Sequence, residues 1–130
     1  MSATWIKTLA ASSIVHVGFA FVVMGGWAVF ANRAHGLPRA MVAGLVQGLL
    51  SAGLTLLLKT VIDRLAVRFS GPSRLWAPPL IACLGSTAVL LIFHHLAGTP
   101  EIVPTIAVPL LVSTSYAAVY NYSIFARTRG

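Results

Sequence analysis

Four long stretches of the chain carry no charged side chain: residues 9–31, 40–58, 75–93 and 102–126, the third running on through His94 and His95 to Pro100. Each has about the 17–25 residues that a helix needs to cross the hydrocarbon core of a bilayer. None shows the apolar–polar alternation of a membrane barrel strand. Lipid offers backbone groups no partners, so runs of this kind predict helices. The pattern predicts helices over 8–31, 40–65, 75–96 and 102–126. The links between them are short and carry turn residues: Gly36 and Pro38, Gly71 and Pro72, Gly98 and Pro100. Short links make sequence neighbours antiparallel neighbours. The expected fold is therefore all-α, an integral membrane four-helix bundle of two antiparallel hairpins, forming one domain over 1–130. A signal peptide is the competing reading of the first run, but its apolar stretch is longer than the usual 7–15 residues and only Lys7 precedes it.

Composition strengthens this picture. The chain is 58% hydrophobic and 8% charged, with a mean hydropathy of +0.89. An average soluble chain is roughly a quarter charged, so lipid is the expected solvent. The net charge of +7 does not point to nucleic acid, because the cations stand between apolar runs instead of gathering on one solvated face. Anionic membrane lipid is the expected partner. The single cysteine, Cys83, excludes an internal disulfide and a Cys-rich metal site.

The cations also orient the chain. Lys7, Lys59, Arg64, Arg68, Arg74, Arg127 and Arg129 fall at one end of the hairpins, against Arg33 and Arg39 at the other. The positive-inside rule places the first group, and both termini, in the cytoplasm of a cell whose inner (plasma) membrane the chain crosses. Trp5, Trp27, Trp76 and Tyr122 stand near helix ends, where aromatic belts form. A thin internal repeat pairs Gly36 with Gly98, Pro38 with Pro100, Ser51 with Ser113 and Lys59 with Asn121. Hairpins so related would point the same way about an axis along the membrane normal.

The second helix carries the clearest polar pattern. Gln47, Ser51, Thr55, Lys59 and Asp63 recur every four residues and form one stripe. Two readings are open: hydrogen-bonding glue between helices with a snorkelling lysine, or one wall of a hydrophilic groove. Gly44 and Gly48 on the same helix form a GxxxG pair that allows close backbone approach, within the chain or between two chains. His16 sits near the middle of the first helix, as a hydrogen-bonded neutral imidazole or a site for proton-coupled transport. His94 and His95 are adjacent, a poor metal pair, and are expected at the outer interface. On the fourth helix, Pro104 fits a first turn and Pro109 removes an interior hydrogen bond. No metal cluster, nucleophile–base pair or phosphate loop is visible, so no catalytic residue, cofactor or metal is expected, and the chain is not read as an enzyme.

The last stretch, Tyr120-Asn121-Tyr122-Ser123-Ile124-Phe125-Ala126-Arg127, resembles the closing motif of the fourth helix in the GtrA-like family, and Gly36-Leu37-Pro38 resembles that family's first hairpin. The second helix departs from the pattern, ending on Lys59-Thr60-Val61-Ile62-Asp63-Arg64 without the Asn-aromatic pair. Trp5-Ile6-Lys7 matches the basic-aromatic start only loosely. The resemblance implies translocation (flipping) or handling of polyprenyl-phosphate-linked sugars for cell-envelope glycan modification. Lys59, Arg64 and Arg68 would then hold the lipid phosphate. Gln47, Ser51, Thr55, Asn121 and His16 would line the polar path. One bundle is thin for a sugar headgroup, so a homo-oligomer or a larger membrane complex is expected. A non-catalytic accessory subunit of such a complex and a small multidrug-type transporter are the alternatives, the latter lacking a membrane-embedded acid.

Overall fold

Long apolar segments fold here as four helices despite internal glycines and the prolines Pro78, Pro79 and Pro109, because backbone groups in lipid must find their partners within protein. A computed structural model describes the backbone of residues 2–129, and the side chains of Thr4 and of Ile14 onward to Arg129. The expected interfacial Trp5 and the Lys7 charge lie outside the described side chains. Helix α1 spans Ser2–Ala31, α2 Leu37–Ala66, α3 Ser73–Ala97 and α4 Ile102–Arg129. All four are long and apolar enough to cross a membrane, and the chain is a multi-pass membrane protein. At 1.5 Å per residue the 30 residues of α2 extend about 45 Å, well beyond a hydrocarbon core of about 30 Å. The helix ends therefore reach the headgroup layers.

The boundaries differ from the expected ones in instructive ways. Helix α2 begins at Leu37, not at residue 40, because Pro38 occupies its first turn, where its fixed φ is pre-set and its missing N–H costs nothing. Gly36, at φ 93°, makes the corner before it. A short 3-10 turn, Arg33–His35, fills the rest of that link. Helices α1 and α4 run past their expected polar ends, to Ser2 and Arg129. Helix α3 starts at Ser73, two residues before expectation.

Side-chain contacts fix the topology. The start of α4 meets the end of α1, where Trp27 Nε1 donates to the Pro104 carbonyl at 2.9 Å. The end of α4 meets the start of α3 through Asn121. The early part of α2 meets the late part of α3 through Gln47 and His94. Helices α2 and α4 thus run parallel and touch each other, flanked by α1 and α3. Among the described residues α1 and α3 make no contact.

The α1–α2 contact is built from missing side chains. A Cβ at Gly25 would stand 2.9 Å from the Gly44 carbonyl, and one at Gly48 would press on the Phe21 ring at 3.0 Å. Van der Waals packing has to hold helices together in lipid, and backbones in contact provide it. The GxxxG pair of α2 therefore works within the chain, against α1. On the opposite side Leu58, Ile62, Ala82 and Ala117 form the seam of α2, α3 and α4, with Tyr120 and Ile124 packed over it.

Two outcomes follow. With Cys83 replaced by alanine, single cysteines at Ala34 and Ser70, both exposed in links, label from opposite faces of the membrane; labelling from one face refutes the bundle. Gly44→Ala drives a methyl into Val29 and the Gly25 carbonyl and costs about 1–3 kcal/mol of stability in a reversible unfolding assay. Gly53→Ala, with nothing within 4 Å of its Cβ, leaves stability unchanged.

Candidate functional site

The polar stripe of α2 turns one edge toward a cavity of about 510 Å³ bounded by α1, α2 and α4. Ser51, Thr55 and Lys59 come from α2, Ser113 and Tyr116 from α4, and His16 from α1. Met24, Leu58, Pro109 and Val112 supply apolar walls. The hydroxyls are already directed. Thr55 Oγ1 donates to the Ser51 carbonyl one turn back, at 2.7 Å, so it offers the cavity an acceptor. Ser51 Oγ accepts from Gln47 Nε2 at 2.8 Å, which leaves its own proton to donate.

At the basic end a charged cluster closes this row. Lys59 Nζ lies 3.0 Å from Asp63 Oδ2 and 5.3 Å from the centre of the Tyr120 ring. The Tyr120 hydroxyl donates to the other oxygen, Asp63 Oδ1, at 2.6 Å. Tyr116 and Tyr120, one helical turn apart, stack at 5.9 Å between centroids with planes 3° from parallel. The lysine is only partly committed, since one carboxylate oxygen cannot absorb three N–H donors.

Behind the cavity the stripe continues into the bundle. Gln47 is fully buried, and its Oε1 lies 2.8 Å from His94 Nε2 on α3. His94 Nδ1 lies 2.8 Å from Thr99 Oγ1. The helix end makes this possible: Gly98, at φ 72°, turns the chain so that its amide reaches the His95 carbonyl and that of Thr99 the His94 carbonyl. This is a Schellman turn. Gln47 gives the His94 ring a partner inside the bundle, while His95, beside it near the end of α3, is exposed. At the same end, buried Asn32 donates to the Ala28 carbonyl and to Thr105 Oγ1, and accepts from the Glu101 amide at 2.9 Å. His35 pairs with Glu101 at 2.9 Å.

A second device sits at the basic end, between α3 and α4. Pro78 and Pro79 lack the N–H groups that would bond the carbonyls of Arg74 and Leu75. Asn121 Nδ2 donates to both, at 3.0 and 2.8 Å.

Of the expected path residues, Ser51, Thr55 and His16 line the cavity, Gln47 stands behind it, and Asn121 is spent on α3. Of the expected phosphate cations, Lys59 lines the cavity; Arg64 and Arg68 are exposed and do not. At 100° per residue Arg64 points about 140° around the helix from Lys59, and Arg68 lies past the end of α2. The Asp63–Tyr120 and His94–Gln47 pairings are new: spacing shows which residues share a face, but not which helix covers it. Among the described residues no three His, Cys, Asp or Glu side chains gather as metal ligands. The chain matches no protein-family model, no curated protein and no solved structure.

What the arrangement offers is recognition: one cation, directed hydroxyls and an aromatic face beside apolar walls. The α3 clamp is separable from it. Asn121→Leu strands two carbonyls and costs about 1–3 kcal/mol in unfolding measurements. In a chain with Pro78→Ala and Pro79→Ala, whose restored amides bond those carbonyls within α3, the same substitution costs much less. Equal costs in both backgrounds would contradict the clamp.

Proposed function

We propose that this protein handles a lipid-linked anionic substrate, its polar headgroup entering the cavity between α1, α2 and α4. The class that best fits is a polyprenyl-phosphate-linked sugar, moved across or within the membrane for cell-envelope glycan modification. The observation that carries this reading is the composition of the cavity wall: Lys59, Thr55 and Ser51 in a row, facing apolar side chains. A volume of about 510 Å³ falls in the range of small-molecule sites. Lys59 would meet the phosphate as a compact charge, and Ser51, Thr55 and Ser113 would meet sugar hydroxyls. Tyr116 adds an aromatic face beside them. The resemblance of the Tyr120–Arg127 segment to the GtrA-like closing motif supports the same class.

The orientation belongs to this proposal. With the positive-inside rule, the Lys59 mouth faces the cytoplasm of a cell bounded by its inner membrane, where activated lipid-linked sugars would be loaded. Arg64, Arg68 and Arg74 then act as anchors to anionic lipid, a role that needs charge but no particular geometry. Asp63 has a regulating part, since its carboxylate occupies Lys59 where a phosphate oxygen would bind.

Binding of farnesyl phosphate to the purified protein in nanodiscs, followed by native mass spectrometry, tests this. Lys59→Gln weakens binding by about tenfold or more, as loss of a charge-assisted contact does. Asp63→Asn strengthens it by freeing the lysine, and Arg64→Lys and Arg68→Lys leave it unchanged. Undiminished binding by Lys59→Gln, or no preference over bulk anionic lipid in the wild type, would refute the site.

A further inference from the structure

Two cavities at opposite depths of the bundle are joined by one row of buried side chains. The first is the substrate cavity. The second, of about 390 Å³, lies at the hairpin end and is lined by Pro38, Arg39, Ala97, Gly98 and Thr99, among others. Between them run three consecutive side-chain contacts of 2.8 Å: Thr99 to His94, His94 to Gln47, and Gln47 to Ser51. Thr99 borders the outer cavity and Ser51 the inner one. Both His94 and Gln47 are wholly shielded.

The chemistry of the row fixes its polarity. Gln47 gives its amide N–H to Ser51, so its carbonyl oxygen faces His94 and accepts. His94 Nε2 must then carry a proton, and the neutral ring's other nitrogen, Nδ1, must accept from the Thr99 hydroxyl. Of the four groups only the imidazole is a base that can take up a proton and hold it. The lone pair that would take up the proton is the one accepting from Thr99, on the side of the outer cavity. We infer that His94 is a proton-binding site loaded from the hairpin end through Thr99, and that its charge state sets how strongly Ser51 donates into the substrate cavity.

The proton's route is short. Thr99 Oγ1 passes its proton to Nδ1 and takes one from a hydronium ion in the outer cavity, which becomes water, so that the hydroxyl oxygen then accepts from the new Nδ1–H. Nε2–H keeps its bond to Gln47, which becomes charge-assisted and shorter. A more polarised Gln47 donates more strongly to Ser51, and the Ser51 O–H becomes the better donor toward an anion. By linkage, an anion accepting from Ser51 would in turn favour the charged ring. Helices α2 and α4 pack against α3. From α2 the charged group at this end is Arg39, on the same outer cavity. The α3–α4 turn brings Glu101, already paired with His35. Helix α3 itself adds exposed His95, and α4 places no titratable side chain here among its described residues. No carboxylate is bonded to the ring, so solvent protons, not an internal acid, load it.

Nitrogen NMR on protein in nanodiscs, labelled at histidine and glutamine, tests the inference without any lipid phosphate, so it stands or falls apart from the proposed substrate. Gln47 is the sole glutamine, and His94→Asn assigns the His94 signals by their loss. The expected result is an Nε2–H tautomer at high pH and imidazolium at low pH, with the Gln47 side-chain amide shifting at the same midpoint. Thr99→Val, which removes the hydroxyl that receives the ring proton, moves that midpoint. A ring that stays neutral until the protein unfolds, a Gln47 amide that ignores the histidine, or a midpoint unmoved by Thr99→Val would each overturn it. If His94→Asn fails to fold, wild type and Thr99→Val suffice, the buried histidine being the signal that changes between them.

Discussion

Hydrocarbon gives a polar group nothing to bond to, and the interior of this bundle is arranged around that shortage. In water a stranded carbonyl is rescued by solvent, whereas in lipid it has to find protein. Pro78 and Pro79 remove two donors from α3, and the one side chain placed to replace them, Asn121, spends its amide on both carbonyls. At the other end Asn32 satisfies its own helix, the first turn of α4 and the Glu101 amide together. Each of these residues fixes where a helix stands because moving the helix would break bonds that nothing else can remake. Polar pairing sets position, and close packing between glycine faces adds the attraction.

The cavity lies next to these ties, on their basic-end side. Gly25, Gly44 and Gly48 press α1 against α2, and Trp27 and Asn32 tie its last turns to α4. Farther toward the basic end, at His16 and Ala20, the cavity lies between α1 and α4. On the α3 side the Leu58–Ile62–Ala82–Ala117 seam packs α2, α3 and α4 together, and the Asn121 clamp ties α4 to α3 beyond it. The bundle is thus tight on one flank and hollow on the other. The hollow flank is the one the Ser51–Thr55–Lys59 edge faces.

Much of this was legible in the sequence. Four uncharged runs and three short links carrying glycine and proline specify the bundle, because only helices of that length meet the backbone's needs in lipid. The four-residue recurrence from Gln47 to Asp63 placed those residues on one stripe of α2. Spacing alone does not say where the stripe changes neighbours: Gln47 shares the stripe with Ser51, yet its partner is on α3. Arg64 and Arg68 are near Lys59 along the chain, but helical rotation turns Arg64 away and Arg68 lies past the helix end. The position of His94 near a helix end beside another histidine carries no sign that its ring is buried. Its burial depends on the Gly98 turn and on Gln47, 47 residues away. The consecutive prolines of α3 were the missed signal: two absent N–H groups demand a donor from elsewhere, and an asparagine is the side chain that can serve two carbonyls at once.

The weak repeat acquires a physical sense once these pairings are known. Gly36 and Gly98 both take positive φ at the hairpin corners, and Ser51 and Ser113 both line the cavity. The same spacing of 62 residues relates Asn32 to His94, which share no chemistry that a letter comparison would score. Yet each stands near the end of the first helix of its hairpin, is fully buried, and reaches the second helix of the other hairpin: Asn32 to Thr105, His94 to Gln47. The equivalence fails at the basic end. There Lys59 pairs with Asp63 beside the cavity, while its counterpart Asn121 turns away to hold α3. An amide that spends both N–H donors on backbone carbonyls has no donor left for a ligand, and a lysine paired on one side still does. The two halves share a scaffold at the hairpin end and divide the labour at the other, one half sealing the bundle and the other opening it.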